Sequence, residues 1–138
     1  MAVEINIVYE GELRCRAQHG PSGVVVSTDA PVDNQGKGES FSPTDLVATA
    51  LGGCMMTIMG ILAQRNGYPI EGSKVKVLKE MVQEPVRRIG QLTVDVHIAN
   101  GVRLQEKDRK MLQQAAHACP VLKSLNPDIP VPVTFHWE

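Results

Sequence analysis

The first third of the chain alternates between apolar and polar residues in the way that β-strands require. Apolar residues occupy alternate positions from Val3 to Tyr9, which predicts a strand. Two more strands are predicted at Leu13–Ala17 and Val24–Thr28, because the segment QHGPSG between them is rich in turn residues. The stretch DAPVDNQGKGES follows as a predicted loop. The pattern therefore predicts a three-stranded N-terminal meander.

The pattern changes to that of a helix in the segment FSPTDLVATALGGCMMTIMGILAQRNG, residues 41–67. Ser42 is a favourable N-cap, and Pro43 suits the first helical position. Asp45 places a negative charge near the positive end of the helix dipole. Gly67 provides a C-terminal stop. One long central helix is the prediction.

This predicted helix is apolar on most of its sides, and it carries a cysteine, Cys54, near its middle. It is a little short for a membrane span and contains several Gly and Thr residues, so we expect a buried helix of a soluble protein. Helical spacing predicts one buried face made of Leu46, Ala50, Cys54, Ile58, Ile61 and Leu62. The Gly52–Gly53 pair has two open interpretations: close helix packing, or access of a substrate to Cys54.

The second half of the chain predicts two strands, a helix and a last strand. The strands lie in SKVKVLKEMV and QLTVDVHIA, the helix covers Gln105–Ala118, CPVLKSLNP adds a short helical turn, and VPVTFHW is the final strand. The order of elements predicts an α+β fold. The length of 138 residues suits a single domain, residues 1–138.

Composition and charge narrow the classes of function. The net charge of −1 and the aromatic content of 4% argue against binding to nucleic acid or to an anionic membrane. The N-terminal segment lacks the pattern of an export signal, so a cytoplasmic location is predicted. In that compartment the three cysteines of the chain are expected to be reduced thiols.

Cys54 and Cys119 are the candidate reactive pair. No CxxC occurs and the histidines are scattered, so neither a metal site nor a cofactor is predicted. Cys119 precedes Pro120, near a predicted helix start whose backbone N–H groups would favour a thiolate. The apolar surroundings of Cys54 disfavour a charged sulfur. From spacing alone, Cys54 is a buried small residue rather than a nucleophile.

Two other groups have structural interpretations. Cys15 lies between Arg14 and Arg16 and is expected to point to the opposite side of its strand, as a core thiol. His117 lies two residues before Cys119 and is either a proton donor and acceptor or, more commonly for a single helical histidine, a structural residue.

The motif SPTDLVATALGGC, followed about 65 residues later by AAHACPVLKSL, resembles the OsmC/Ohr superfamily over nearly the whole chain. The resemblance implies intertwined homodimers in which long helices pack against mixed sheets. It also implies a thiol peroxidase that reduces organic hydroperoxides, and hydrogen peroxide more weakly, in defence against oxidative stress. A dithiol, lipoyl-linked in some members, would restore the enzyme.

The resemblance assigns roles to particular residues. It implies that Cys54 attacks the peroxide, that Cys119 resolves the product as a disulfide, and that Arg14 or Arg16 promotes the thiolate. The family's supporting glutamate would stand ten positions before Cys54, where this chain has Thr44, with Asp45 beside it. Glu39 is another candidate partner for an arginine.

The leading hypothesis is therefore a cytoplasmic, homodimeric cysteine-based peroxidase. One alternative is an OsmC-like redox sensor or binder of small apolar ligands. A second is a structural dimer whose cysteines only pack. The departure at Thr44 favours the alternatives, and the presence of both cysteines favours the enzyme.

Overall fold

The computed structural model describes all residues from 1 to 138, and their contacts group into two units, residues 1–47 and residues 48–138. Two single-turn 3₁₀ helices, Val32–Asn34 and Gly101–Arg103, lie in loops. The remaining elements are six strands and three α-helices. Their order confirms the predicted α+β class.

The N-terminal unit contains the predicted meander. Its strands are β1 (Ile5–Gly11), β2 (Arg14–His19) and β3 (Val25–Asp29), paired antiparallel in the order β1-β2-β3. Glu12 and Leu13 both have positive φ angles, 53° and 63°. Such a pair is typical of the tight turns that join twisted antiparallel strands. The strands begin one or two residues later than the sequence pattern suggests.

The apolar residues of this sheet remain largely exposed. Ile5, Ile7 and Tyr9 share one face of β1 and are 58%, 65% and 64% exposed. Cys15 pairs with Tyr9 across the sheet and is half-buried. Cys15 is not part of the buried core, so its expected role as a core thiol was wrong. The reason is that this sheet exposes the apolar side chains around it.

The central helix α1 spans Pro43–Asn66, close to its predicted limits. Ser42 Oγ accepts a hydrogen bond from Asp45 N at 3.1 Å, and Asp45 Oδ2 accepts one from Ser42 N at 2.9 Å. This reciprocal pair is a capping box, which satisfies backbone donors at the helix start. Gly67 follows the helix with a φ of +70°, a conformation that glycine adopts without strain.

The buried face of α1 differs from the predicted one. Its buried residues are Ala48, Leu51, Gly52, Met55, Met59 and Ala63. Ala50 and Ile61, expected inside, are exposed. When a helix is apolar on most sides, the spacing of its apolar residues does not identify one buried face. Which face is covered then depends on the elements that pack against the helix. The shift leaves Cys54 half-buried at the border of the buried face.

The second unit contains a mixed sheet. Its strands are β4 (Lys74–Val82), β5 (Arg88–Ile98) and β6 (Val133–Trp137), in the order β4-β5-β6. β4 is antiparallel to β5, and β6 is parallel to β5. The helices α2 (Glu106–His117) and α3 (Pro120–Ser124) connect β5 to β6. This crossover allows β5 and β6 to run parallel.

The core of the second unit is built around the central strand β5. Residues with no exposed surface come from three elements and one loop: Leu51, Met55, Met59, Leu92, Val94, Val96, Ile98, Leu112, Ala116 and Cys119. The helix α1 is long and apolar enough to cross a membrane by composition alone. Because three of its side chains are fully buried in this core, α1 is a core helix.

Gly52 is the point of closest approach between α1 and β4. A Cβ atom at Gly52 would lie 2.9 Å from Val77 Cγ2 and 3.1 Å from Val75 Cγ1. Valine is stiff at χ1, so these methyl groups cannot easily turn away. A Cβ atom at Gly53 would meet nothing within 4 Å. Close packing therefore explains Gly52, and Gly53 lies on the open side of the helix.

The two glycines form a matched pair for a stability test. Gly52→Ala should lower the free energy of unfolding by about 1–2 kcal/mol, because overpacking against Val75 and Val77 exceeds the gain in helix propensity. Gly53→Ala should be neutral or stabilising by up to about 1 kcal/mol. Urea denaturation of both variants measures the difference. Equal effects of the two substitutions would contradict the packing argument.

Candidate functional site

The second unit brings Cys54 and Cys119 together. Cys54 lies on α1, and Cys119 immediately precedes α3. The two side chains are close enough to interact, because Cys54 raises the pKa of the Cys119 thiol. Both are free thiols: Cys54 is half-buried, whereas Cys119 has no exposed surface. The pair therefore combines one accessible sulfur with one that is shielded from water.

Local sequence explains the position of Cys119. Pro120 begins α3, and Cys119 is its N-cap residue, as the Cys–Pro order predicts. Cys119 Sγ accepts a hydrogen bond from Leu122 N at 3.2 Å. A sulfur in this position replaces the oxygen that serine or aspartate would offer to the first helical N–H groups.

Two opposing effects act on the ionisation of Cys119. Burial raises the pKa of the Cys119 thiol, and the neighbouring Cys54 raises it further, while the N–H groups of Leu122 and Val121 lower it. The net direction is upward. The predicted effect of the helix start is present, because both N–H groups lower the pKa of Cys119, but the loss of hydration outweighs it.

Arg14 is the centre of a charged cluster in the N-terminal unit. Arg14 lies directly opposite Asp29 in the β2–β3 pairing. Its Nη2 atom is 2.8 Å from Glu39 Oε2 and 3.6 Å from Asp29 Oδ2. Glu39 N also donates to Asp29 Oδ2 at 3.0 Å. The hydrogen bond and charge of Glu39 raise the pKa of Arg14, with a smaller contribution from Asp29.

The other predicted residues of this unit have different surroundings. Arg16 is exposed. The carboxylate of Asp45 accepts from Ser42 N in the capping box, and Thr44 Oγ1 is 3.2 Å from Ser42 Oγ. Arg14, Arg16 and Asp45 belong to residues 1–47, whereas both cysteines belong to residues 48–138. A role of these three residues at Cys54 stays a prediction.

Sequence reasoning missed Asp29 and left His117 open. Asp29 is 1% exposed, although a carboxylate at the end of a strand ordinarily faces water. The register of the β2–β3 hairpin, had it been derived from the turn, would have placed Asp29 opposite Arg14. His117 is exposed, and its Nδ1 is 2.8 Å from the carbonyl oxygen of Gln113. This bond within the helix supports the structural interpretation of His117.

A cavity of about 570 Å³ lies at the C-terminal end of α1. Its walls come from α1 and from the loop that leads to β4: Met56, Gly60, Ala63, Gln64, Gly67, Tyr68, Pro69, Ile70, Glu71, Gly72 and Ser73. The lining mixes apolar and polar groups. Neither Cys54 nor Cys119 belongs to it, so this cavity is separate from the thiol pair.

Comparison with known proteins agrees with this architecture. The model of the family described as OsmC-like protein matches residues 36–134, which is more than half of the chain. A Psychrobacter arcticus protein, provisionally described as osmotic stress induced and involved in the detoxification response, is 43% identical, with a TM-score of 0.89. The match covers 96% of this chain and 94% of that one. No curated protein gives a significant match.

More distant structures share the fold. An organic hydroperoxide resistance protein from Legionella pneumophila is 14% identical, with a TM-score of 0.76 and coverage of 99% and 97% of the two chains. An organic hydroperoxide resistance protein from Bacillus subtilis is 16% identical, with a TM-score of 0.68 and coverage of 98% of each chain. At such identities the likeness shows the fold alone. The family match and the Psychrobacter structure show that the chain belongs to the OsmC-like family.

Proposed function

We propose that the protein is a thiol-dependent peroxidase that reduces organic hydroperoxides, and hydrogen peroxide more weakly, in defence against oxidative stress. The observation that carries the proposal is a half-buried thiol, Cys54, that interacts with a second, fully buried thiol, Cys119. The names of the Legionella and Bacillus structures, which are organic hydroperoxide resistance proteins, support it.

The reaction divides into three balanced steps. The Cys54 thiolate attacks one peroxide oxygen, the O–O bond breaks, and the alkoxide takes up a proton to leave as an alcohol. Cys54 is then a sulfenic acid. The Cys119 sulfur attacks the Cys54 sulfur, and the hydroxyl group leaves with the thiol proton as water. An external dithiol, lipoyl-linked or free, exchanges with the disulfide and restores both thiols.

The positions of the two thiols suit this division of labour. Cys54 must meet the peroxide, and it is the more accessible of the two. Half-buried apolar side chains around the core, among them Ile58 and Leu62, also lie on α1. Such neighbours favour an organic peroxide over hydrogen peroxide, because an alkyl or aryl group gains from leaving water. Cys119 is shielded from solvent, which suits a thiol that reacts only with the sulfenic acid of Cys54.

We further propose that Arg14, rather than Arg16, promotes the Cys54 thiolate. Arg14 is held by Glu39 and Asp29, so its guanidinium is fixed in place, whereas Arg16 is exposed. The two carboxylates would take over the supporting role that Thr44 cannot fill. We also propose that Asp45 supports the arginine, in addition to its observed role in the capping box.

A homodimer in the cytoplasm is the proposed working form, with residues 1–138 as one domain. The exposed face of Ile5, Ile7 and Tyr9 supports association, because soluble monomers rarely expose a contiguous apolar strand face. The small net charge gives no reason to expect nucleic acid or a membrane as a partner.

The alternative function is binding of a small ligand or redox sensing without turnover. The cavity beyond Cys54, lined partly by Met56, Ala63 and Ile70, is the observation that favours a ligand. A volume of about 570 Å³ lies within the range of small-molecule sites. In the sensor alternative, peroxide forms the disulfide but no catalytic cycle follows.

Turnover separates these functions. With cumene hydroperoxide and dihydrolipoamide, the reduced protein should consume peroxide catalytically, and Cys54→Ser should consume it no faster than the mixture without protein. Without the dithiol, Cys119→Ser should react once, to a sulfenic acid that dimedone traps, whereas the parent should form a disulfide that dimedone does not trap. A Cys15→Ser control should retain turnover. Disulfide formation without turnover would favour the sensor, and unchanged consumption in Cys54→Ser would contradict both redox functions.

Arg14 and Arg16 form a second matched pair. Arg14→Gln should slow the first reaction with peroxide by about tenfold or more, because a nearby cation lowers a thiol pKa by about one unit or more. Arg16→Gln should change this rate little, and Arg14→Lys should recover part of it by restoring the charge. Stopped-flow measurement of the first turnover, beside a thermal melt of each variant, tests this. Equal losses in the two Gln variants would refute the assignment.

A further inference from the structure

The cavity at the C-terminal end of α1 takes no part in the proposed peroxidase reaction, and its walls favour a ligand of one chemical class. One wall is a side of the last turns of α1, with Met56, Gly60 and Ala63. A Cβ atom at Gly60 would meet nothing within 4 Å, so this wall is open where a side chain would stand. Ala63 and Ile70 are buried and give the cavity an apolar interior.

The loop between α1 and β4 forms the other wall and is held in place by hydrogen bonds. Ser73 Oγ donates to the carbonyl oxygen of Ile70 at 2.6 Å and accepts from Ala99 N at 2.8 Å. Asn100 Nδ2 donates to the carbonyl oxygen of Pro69 at 2.7 Å. These bonds tie the loop to the residues that follow β5. The wall is therefore pre-formed, which lowers the cost of ordering it around a ligand.

Several hydrogen-bond donors of this loop are already engaged. The N–H groups of Tyr68, Ile70 and Ser73 donate to carbonyl oxygens within the chain, and Pro69 has no N–H. The Tyr68 hydroxyl donates to Asp108 Oδ1 at 2.6 Å, so its oxygen is left only to accept. The wall thus offers acceptors more readily than donors, and a ligand that supplies its own donors fits it better.

Glu71 gives the cavity its charge. The lining includes this carboxylate and no Lys, Arg or His side chain. Glu71 is exposed and forms no ion pair with a basic side chain of the chain. The carboxylate would repel a bound anion, whereas it would attract a cation, and an ammonium group also carries three donors. Charge and hydrogen bonding therefore favour the same class of ligand.

We propose that this cavity binds a small primary amine with an apolar or aromatic body, and that Glu71 holds its ammonium group. The body lies against Met56, Ala63 and Ile70, where it leaves water and where the thioether of Met56 suits an aromatic ring. The ammonium group supplies the donors that the loop lacks. The inference deepens the ligand-binding alternative and does not depend on the peroxidase reaction.

Three probes of similar shape and different charge measure this preference. Phenethylamine is the cation, phenethyl alcohol is its neutral counterpart, and hydrocinnamate is an anion of similar length. Each is titrated into the reduced protein at neutral pH and low ionic strength, and binding is followed by the shifts of backbone amide signals in NMR spectra. The amine should bind about three- to fivefold more tightly than the alcohol, a modest factor because Glu71 is exposed to water. The anion should bind more weakly than the alcohol, and the shifted amides should include Gly60, Gly67 and Gly72 of the lining.

Three variants locate the binding. Glu71→Gln should bind the amine and the alcohol equally, with the affinity for the alcohol unchanged. Gly60→Leu should lose both ligands, because the new side chain projects into the cavity. Gly53→Leu is the matched control, since Gly53 also has open space around its Cβ position but lies outside the lining, and it should bind the amine like the parent. Thermal melts check that each variant is folded, and Glu71→Gln, a change at an exposed side chain, decides the question if a leucine variant fails to fold.

Equal affinities for the three probes, tighter binding of the anion, or a preference for the amine that persists in Glu71→Gln would overturn the proposal. Amide shifts confined to residues outside the lining would overturn it as well. The titrations use no peroxide, so the two functions fail separately. Amine binding in a protein without peroxide turnover would sink the proposed reaction and leave this inference standing, and turnover without amine binding would do the reverse.

Discussion

The close approach of α1 to β4 constrains the placement of Cys54 in the thiol site. Gly52 lacks a Cβ, so the helix packs directly against Val75 and Val77. With α1 in this rotation, Met55 is buried and Cys54 lies at the border of the core. A different rotation would bury Cys54 completely or turn it away from Cys119. The chemistry of the site therefore begins with a packing constraint between apolar groups.

Burial gives the two sulfurs different properties from the same starting chemistry. Cys119 loses its hydration entirely and its pKa is raised, so it keeps its proton. Cys54 retains access to the surface. In the proposed reaction, this asymmetry assigns the roles of nucleophile and resolving thiol. Both sulfurs belong to elements that pack on one core, helix α1 and the start of α3.

In the N-terminal unit, the main polar feature is a cluster of charged side chains around a buried carboxylate. Arg14 and the buried Asp29 are opposite each other in β2 and β3, and Glu39 approaches from the following loop. A carboxylate that is 1% exposed needs a partner of opposite charge, which Arg14 provides. In the same sheet, the exposed apolar side chains of β1 present a surface that supports the proposed dimer.

Much of the fold follows from the sequence, because period-two and helical patterns are local. The strands of the meander, the limits of α1 and the N-cap position of Cys119 are such features. The rotation of α1 could not be predicted, since a helix that is apolar on most sides has no preferred face. To predict the pairing of Arg14 with Asp29, one must know the register of the β2–β3 hairpin. To predict the ionisation of Cys119, one must know how deeply its side chain is buried. These three properties depend on residues far apart in the chain.

The central claim is that Cys54 and Cys119 form the redox pair and that Cys15 lies outside it. The most direct measurement treats the reduced protein with one equivalent of cumene hydroperoxide, blocks the remaining thiols, and maps the disulfides by mass spectrometry. We expect one intramolecular bond between Cys54 and Cys119, with Cys15 recovered as a blocked free thiol. A bond that involves Cys15, or no bond while peroxide is consumed, would contradict it.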